Sequence, residues 1–147
     1  MTKYQILKEY ETNLMKIQDQ LSDGITNNIE IDNLCYKIFG HDKYLGTMSS
    51  DKMPKYIKEE QCFILNTEPS NKSGIHWVAF YKRSKSLYGY DSFNRNINKL
   101  SKFWKHKKVI SANKDRDQSY LLSECGSRAI CFLISFFKHG PKIINII

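Results

Sequence analysis

The chain has 147 residues, of which 41% are hydrophobic and 13% aromatic, which is enough for one domain with one core and argues against wholesale disorder. Its 23 basic and 15 acidic residues give a net charge of +8, so nucleic acid is the first candidate for an anionic partner, although lysine-rich surfaces are often simply solubilising. No apolar run could cross a bilayer and no secretory leader precedes the polar N-terminus, so we expect an intracellular protein with reduced thiols and no membrane partner.

The first part of the chain, residues 1–43, is predicted to be helical. Apolar residues at spacings of three and four indicate an amphipathic helix over 3–21. Asp32 is a candidate N-cap for a second helix that would end at Gly40. A loop through Gly46 and Pro54 is expected to follow.

The rest, residues 44–147, predicts strands alternating with helices. Strands are expected at 61–66, 75–81, 86–91 and 108–112, a short helix around 97–104, and a very apolar helix from about Cys125 to Lys138. The strands 75–81 and 86–91 are joined by a hairpin-length connection. The pattern predicts one α+β domain over 1–147, with a central mixed sheet packed on the buried last helix and flanked by further helices.

Three side chains in this pattern are the parts of an activated thiol nucleophile. His76 lies in one strand of the predicted hairpin, Asp91 ends the other, and Cys125 opens the apolar helix. If the turn is centred on Arg83 and Ser84, His76 lies directly opposite Asp91, with Cβ atoms about 4.5–5.5 Å apart. The carboxylate could then accept a hydrogen bond from the imidazole. A helix N-terminus also favours the thiolate form of a cysteine.

Further residues would complete such a site. Backbone N–H groups at the helix start suit an oxyanion, and Gln118, seven residues before Cys125, could add a side-chain donor. Gly126 would let substrate backbone approach closely, and Trp77 would form a wall of the substrate groove.

Each of these residues also has an ordinary structural interpretation. His76 could be a hydrogen-bonded core residue, Cys125 an inert buried thiol, Asp91 a turn former and Trp77 a core residue. A zinc site is a further alternative, but its candidate ligands lack ligand spacing: Cys35, His41, Cys62 and Cys125.

The run from Gly74 to Phe80, Gly-Ile-His-Trp-Val-Ala-Phe, resembles the Gly-Val-His-Trp-Met-Ala-Phe run of the adenovirus-type maturation proteases. The stretch from Leu87 to Phe93 and the gap from Gln118 to Cys125 follow the same plan. The resemblance extends over about residues 44–137, and more distantly to the SUMO-specific and related ubiquitin-like proteases. At the position of Asp91 the adenoviral enzymes carry glutamate, whereas the SUMO proteases carry aspartate, as this chain does.

This resemblance implies a cysteine endopeptidase. Cys125 would be the nucleophile, His76 the general base and acid, Asp91 the residue that orients His76, and Gln118 part of the oxyanion hole. Its implied substrates are capsid or core precursors of a DNA virus, virophage or mobile element, cut at glycine-containing sites. Its implied location is the host cytoplasm, nucleus or viral factory, and the virion.

Two alternatives and one question stay open. The first alternative is a deconjugating protease that acts on a ubiquitin-like modifier. The second is a basic nucleic-acid-binding protein that keeps the fold without the chemistry. No cofactor is required by the implied reaction, and whether DNA or a viral peptide stimulates it is left open.

Overall fold

A computed structural model describes residues 1–21, 27–68, 76–101, 104, 108–112 and 124–147. Its main elements, in chain order, are α1 (Lys3–Gln20), α2 (Asn28–Phe39), β1 (Tyr44–Met48), β2 (Cys62–Asn66), β3 (Trp77–Arg83), β4 (Ser86–Tyr90), β5 (Val109–Ser111) and α3 (Cys125–His139). Short 3₁₀ turns lie at Ser50–Lys52, Ile97–Lys99 and Gly140–Asn145. The fold is therefore of mixed α and β character, as the sequence predicts.

The five strands form one mixed sheet in the order β1-β2-β3-β4-β5. The outer pairs, β1–β2 and β4–β5, are parallel, and the inner pairs are antiparallel. Every residue of β2 is buried, as are the first five of β3. These central strands are covered on both faces, which explains why their sequences are continuous apolar runs without polar alternation.

Alternate residues of the central strands enter two different clusters. Trp77, Ala79 and Tyr81 belong to the larger cluster, which also contains the buried sides of α1 and α3. Val78 and Phe80 belong to the smaller cluster on the opposite face, against which Trp104 packs. The period of two along a strand therefore assigns the odd-numbered positions of β3 to the helical side.

Helix α3 lies at the centre of the helical layer, in contact with β3 and α1. Its Phe132 ring is stacked on Tyr90, with centroids 4.9 Å apart, and its Phe136 ring lies 4.8 Å from that of Tyr81. Helix α1 covers the other side of α3 with apolar residues such as Tyr10, whose carbonyl accepts a hydrogen bond from the Cys131 thiol at 3.3 Å. Helix α3 is therefore packed between the sheet and α1.

The structure corrects the predicted start of the second helix. Helix α2 begins at Asn28, and the Asn27 side chain caps it by accepting a hydrogen bond from the Glu30 N–H at 2.9 Å. Asp32 is not the N-cap, because it lies one turn into the helix and accepts a hydrogen bond from the Thr47 N–H at 2.7 Å.

Two other predicted segments differ from the structure. The expected loop through Gly46 is strand β1, whose ladder is interrupted by an irregularity between Tyr44 and Thr47. Gly46 has φ +134°, a conformation that favours glycine. The helix expected over 97–104 is only a 3₁₀ turn at Ile97–Lys99 within the described residues.

The predicted hairpin register is also wrong. Arg83 pairs with Ser86, so the turn is Ser84-Lys85 and not Arg83-Ser84. Two glutamates before β2 hold this turn: Glu60 binds the Arg83 side chain at 2.7 and 2.9 Å, and Glu59 accepts a hydrogen bond from the Ser84 N–H at 3.1 Å. His76 therefore does not lie directly opposite Asp91, since each partner has moved by two positions.

In the part of the chain that the structure describes, none of the helices is both long and apolar enough to span a bilayer.

Candidate active site

His76, Asp91 and Cys125 lie at one edge of the fold. His76 directly precedes β3, and Asp91 directly follows β4. Because β3 and β4 are antiparallel, the start of β3 and the end of β4 lie side by side, at the open end of the hairpin. Cys125 is the first residue of α3, which packs against β3. Residues far apart in the sequence are thus brought together by the hairpin and the helix start.

The imidazole of His76 is held by Asp91. Its Nε2 is in contact with the Asp91 Oδ1, and the two residues are only 3% and 0% exposed. The Phe93 ring is stacked on the imidazole, with centroids 4.5 Å apart and planes 15° from parallel. Nδ1 is buried and has no hydrogen-bond partner among the described residues. It is therefore the ring nitrogen available to exchange a proton with Cys125.

The Asp91 carboxylate is surrounded by donors from the turn that follows it. Oδ1 also accepts a hydrogen bond from the Phe93 N–H at 3.1 Å. Oδ2 accepts from the Arg95 N–H at 3.2 Å and from the Arg95 Nε at 2.8 Å. Burial alone would raise the carboxyl pKa, but the bonds and charges of His76 and Arg95 lower it to about 2. Asp91 is therefore a carboxylate at neutral pH.

The thiol of Cys125 and the imidazole of His76 favour each other's charged form. Burial raises the thiol pKa, but interaction with His76, followed by the backbone of Trp77 and Gly126, brings it below the ordinary value. For the imidazole, burial lowers the pKa, because it too disfavours the charged form. The interactions with Asp91 and Cys125 outweigh burial, so the imidazole pKa lies above its ordinary value. The arrangement therefore favours a thiolate beside an imidazolium.

The other three cysteines have the opposite electrostatics. Cys35, Cys62 and Cys131 are fully buried, whereas Cys125 is partly exposed. Burial raises the pKa of Cys62 and of Cys131 to about 12, and that of Cys35 further still. Only at Cys125 do a nearby imidazole, backbone donors and solvent access coincide.

The remaining predicted site residues are placed as follows. Gly126 follows the thiol in the first turn of α3 and is buried. The Trp77 side chain is 7% exposed and belongs to the larger core cluster, so what it offers near Cys125 is its backbone. Gln118 lies outside the described residues. Within the described ranges, no group of three His, Cys, Asp or Glu residues is arranged to hold a metal ion.

Sequence reasoning missed Phe93 and Arg95, which complete the surroundings of His76 and Asp91. The Arg95 guanidinium lies 5.2 Å from the Phe93 ring centroid, and the same ring is stacked on the His76 imidazole. Part of this signal was present in the sequence, because an aspartate at a strand end commonly accepts a hydrogen bond from the N–H two residues further on.

No protein-family model matches the chain. The protease of bovine adenovirus 4 is 27% identical to it over 124 residues, a match that covers 69% of this chain and 60% of that protease. The chain is thus a distant relative of an adenovirus protease, which confirms the relationship expected from the sequence. It matches less than two thirds of the relative's length.

Proposed function

We propose that this chain, as a distant relative of the adenovirus proteases, is a cysteine endopeptidase. One observation carries the proposal: the partly exposed Cys125 starts a helix and interacts with an imidazole whose Nε2 is bound by Asp91. The 27% identity to a protein named as a protease supports the same reaction class. A buried structural cysteine would need neither the histidine nor the access to solvent.

In the proposed reaction, the Cys125 thiolate attacks the carbonyl carbon of the scissile peptide bond. The His76 imidazolium gives its proton to the leaving amine as the C–N bond breaks, which leaves a thioester on Cys125. Neutral His76 then takes a proton from water, whose oxygen attacks the thioester. The C–S bond of the thioester breaks, the acid product leaves, and the Cys125 thiolate is restored beside the protonated His76.

The developing oxyanion would be bound by donors at the start of α3. The first N–H groups of a helix have no partner within the helix, and that of Cys125 is adjacent to the reacting atom. We propose the Gln118 amide as the second donor, as the resemblance implies. Removal of one such donor costs about 3–4 kcal/mol in related acyl-transfer sites.

We further propose that the substrates are precursors of viral structural proteins, cleaved at glycine-containing sites within infected cells and assembling virions. The support is the relationship to an adenovirus protease. The aspartate at position 91 favours a second candidate, a deconjugating protease for a ubiquitin-like modifier, because the SUMO proteases resemble this chain at that position. Precursor peptides and a folded modifier ending in Gly-Gly, compared as substrates, separate the two.

The test of the reaction class is alkylation by iodoacetamide across pH 5–9, with the modified cysteines mapped by mass spectrometry. Cys125 should react first, and its rate should rise well below the ordinary thiol pKa of about 8.5. Cys62 and Cys131 serve as controls within the same molecule and should stay unmodified in the folded protein.

The matched variant is His76→Ala, in which Cys125 keeps its helix but loses its imidazole. Its alkylation at pH 6 should slow by about tenfold or more. If all four cysteines reacted equally, or if Cys125 titrated as an ordinary thiol with and without His76, the thiol-protease proposal would be wrong.

A further inference from the structure

The turn after β4 places a cation on the carboxylate that holds the histidine. Arg95 Nε donates to Asp91 Oδ2 at 2.8 Å, while Oδ1 is in contact with His76. One carboxylate is thus shared between a histidine and an arginine, one oxygen each. Asp91 is fully buried, and the Arg95 side chain is about one-third exposed.

We propose that Arg95 is a positioning residue for the proposed cysteine-protease reaction: by taking one oxygen of Asp91, it limits how tightly Asp91 holds the proton of His76. The inference rests on the proposed function, since it concerns the same imidazole. It adds a residue that neither the sequence motif nor the comparison with the adenovirus protease assigns.

The side chain of Arg95 is needed for charge more than for orientation. Two backbone donors, the N–H groups of Phe93 and Arg95, already fix one oxygen each at 3.1 and 3.2 Å. They remain after substitution of the Arg95 side chain. What the guanidinium adds is a positive charge at hydrogen-bond distance from a carboxylate that water does not reach, where such interactions are strongest.

The charged and titratable groups around the imidazole define what the substitution would change. Asp91 faces His76 from the end of β4, and Cys125 faces it from the start of α3. Among the described residues, His76 and Arg95 are the charged groups that face Asp91 most closely. Without Arg95, one positive charge would no longer offset the carboxylate, and the imidazolium would be harder to deprotonate.

This balance matters for the proton that the proposed reaction must transfer. His76 has to be protonated beside the thiolate and yet give its proton to the leaving amine. A general acid works best when its pKa lies near the operating pH. A carboxylate that is not shared with Arg95 would keep His76 protonated but would hinder transfer of the proton to the leaving amine.

The experiment measures the His76 pKa by the ¹³Cε1 chemical shift of its imidazole, in the full chain with Cys125→Ala so that the thiol does not titrate. Arg95→Gln and Arg95→Met remove the charge, and Met keeps an apolar stem against Phe93. Both should raise the His76 pKa by about one unit. Arg95→Lys keeps a cation and should return most of that shift.

The matched control is Arg83→Gln, which removes an equally short arginine–carboxylate pair, to Glu60, at the other end of the same hairpin. It should leave the His76 pKa unchanged even where it lowers the thermal midpoint. A merely structural role for Arg95 predicts the same result for Arg95→Gln, namely lower stability with an unchanged His76 pKa.

If the His76 pKa were unchanged in a folded Arg95→Gln or Arg95→Met variant, the proposal would be overturned. A lowered His76 pKa would also overturn it, because Arg95 would then act by orienting Asp91. Either Gln or Met suffices, so failure of one to fold leaves the test intact. The proposed function is judged separately, by alkylation of the unsubstituted protein. An activated Cys125 with no effect of Arg95 would refute the role of Arg95 alone.

Discussion

Replacement of Asp91 by asparagine should change the acid stability of the protein in a defined pH window. The carboxyl pKa falls from 3.8 to about 2 on folding, a shift that corresponds to about 2 kcal/mol. Because the folded pKa is the lower one, this stability is present above the unfolded value. It is lost as the pH falls through the folded value. The wild-type protein should therefore lose more than half of it between pH 4.5 and 2.5, and the rest as the pH falls below 2.5.

The assay is urea unfolding at pH steps between 4.5 and 2.5, which lies below the ordinary pKa of histidine, about 6.5. The wild type and Asp91→Asn are compared by their urea midpoints. With an m value of about 2 kcal/mol/M, the difference between the two midpoints should shrink by roughly 0.5–1 M over this pH range. The control is Asp42→Asn, because the Asp42 side chain is exposed. Its free energy of unfolding should stay within about 0.5 kcal/mol of the wild-type value at each pH.

A constant difference between wild type and Asp91→Asn over this window would refute the reasoning. It would mean that the carboxylate gains nothing from His76 and Arg95 beyond what it has in the unfolded chain. The same result would remove the physical basis for treating the three side chains as one network.

Two further predictions concern glycines and are checked by urea unfolding at neutral pH. A Cβ at Gly89 would lie 2.8 Å from Cγ1 of both Ile97 and Val109, which are buried, so Gly89→Ala should cost about 1–3 kcal/mol; a loss below 0.5 kcal/mol, roughly, would contradict it. Gly40 and Gly140 both have positive φ and nearly extended ψ, so alanine at either should cost about 1–3 kcal/mol. Gly140→Ala should cost more, because its Cβ would also meet the Arg83 guanidinium at 2.6 Å whereas nothing lies within 4 Å at Gly40; equal losses would show that Arg83 moves freely.

Helix α3 could be predicted from the sequence because its signal is local. Its apolar residues occur on nearly all sides of the helix, and a helix of that kind has to be central. In the structure, nine of its residues are buried. The strands at β2, β3 and β4 were predictable for the same reason, since each is a short apolar run between polar segments.

Strand β1 could not be predicted, because what defines it is a distant partner. It is paired in parallel with β2 and broken by an irregularity at Gly46, and its Thr47 N–H is bound by the side chain of Asp32 in α2. A glycine in a short segment indicates a loop when the sequence is considered alone. Only the non-local pairing converts it into a strand.

At the candidate site, the contact of His76 with Asp91 survives a wrong register for a geometric reason. The turn lies one residue further along than expected, at Ser84-Lys85, and this moves every cross-strand partner by two positions. A shift of two leaves each side chain on the same face of the sheet, whereas a shift of one would reverse it. The hairpin spacing therefore determined which side chains could meet. The exact pairing was not determined by that spacing: the observed register, extended beyond Ala79 and Tyr90, places Phe93 opposite His76, and the two rings are stacked.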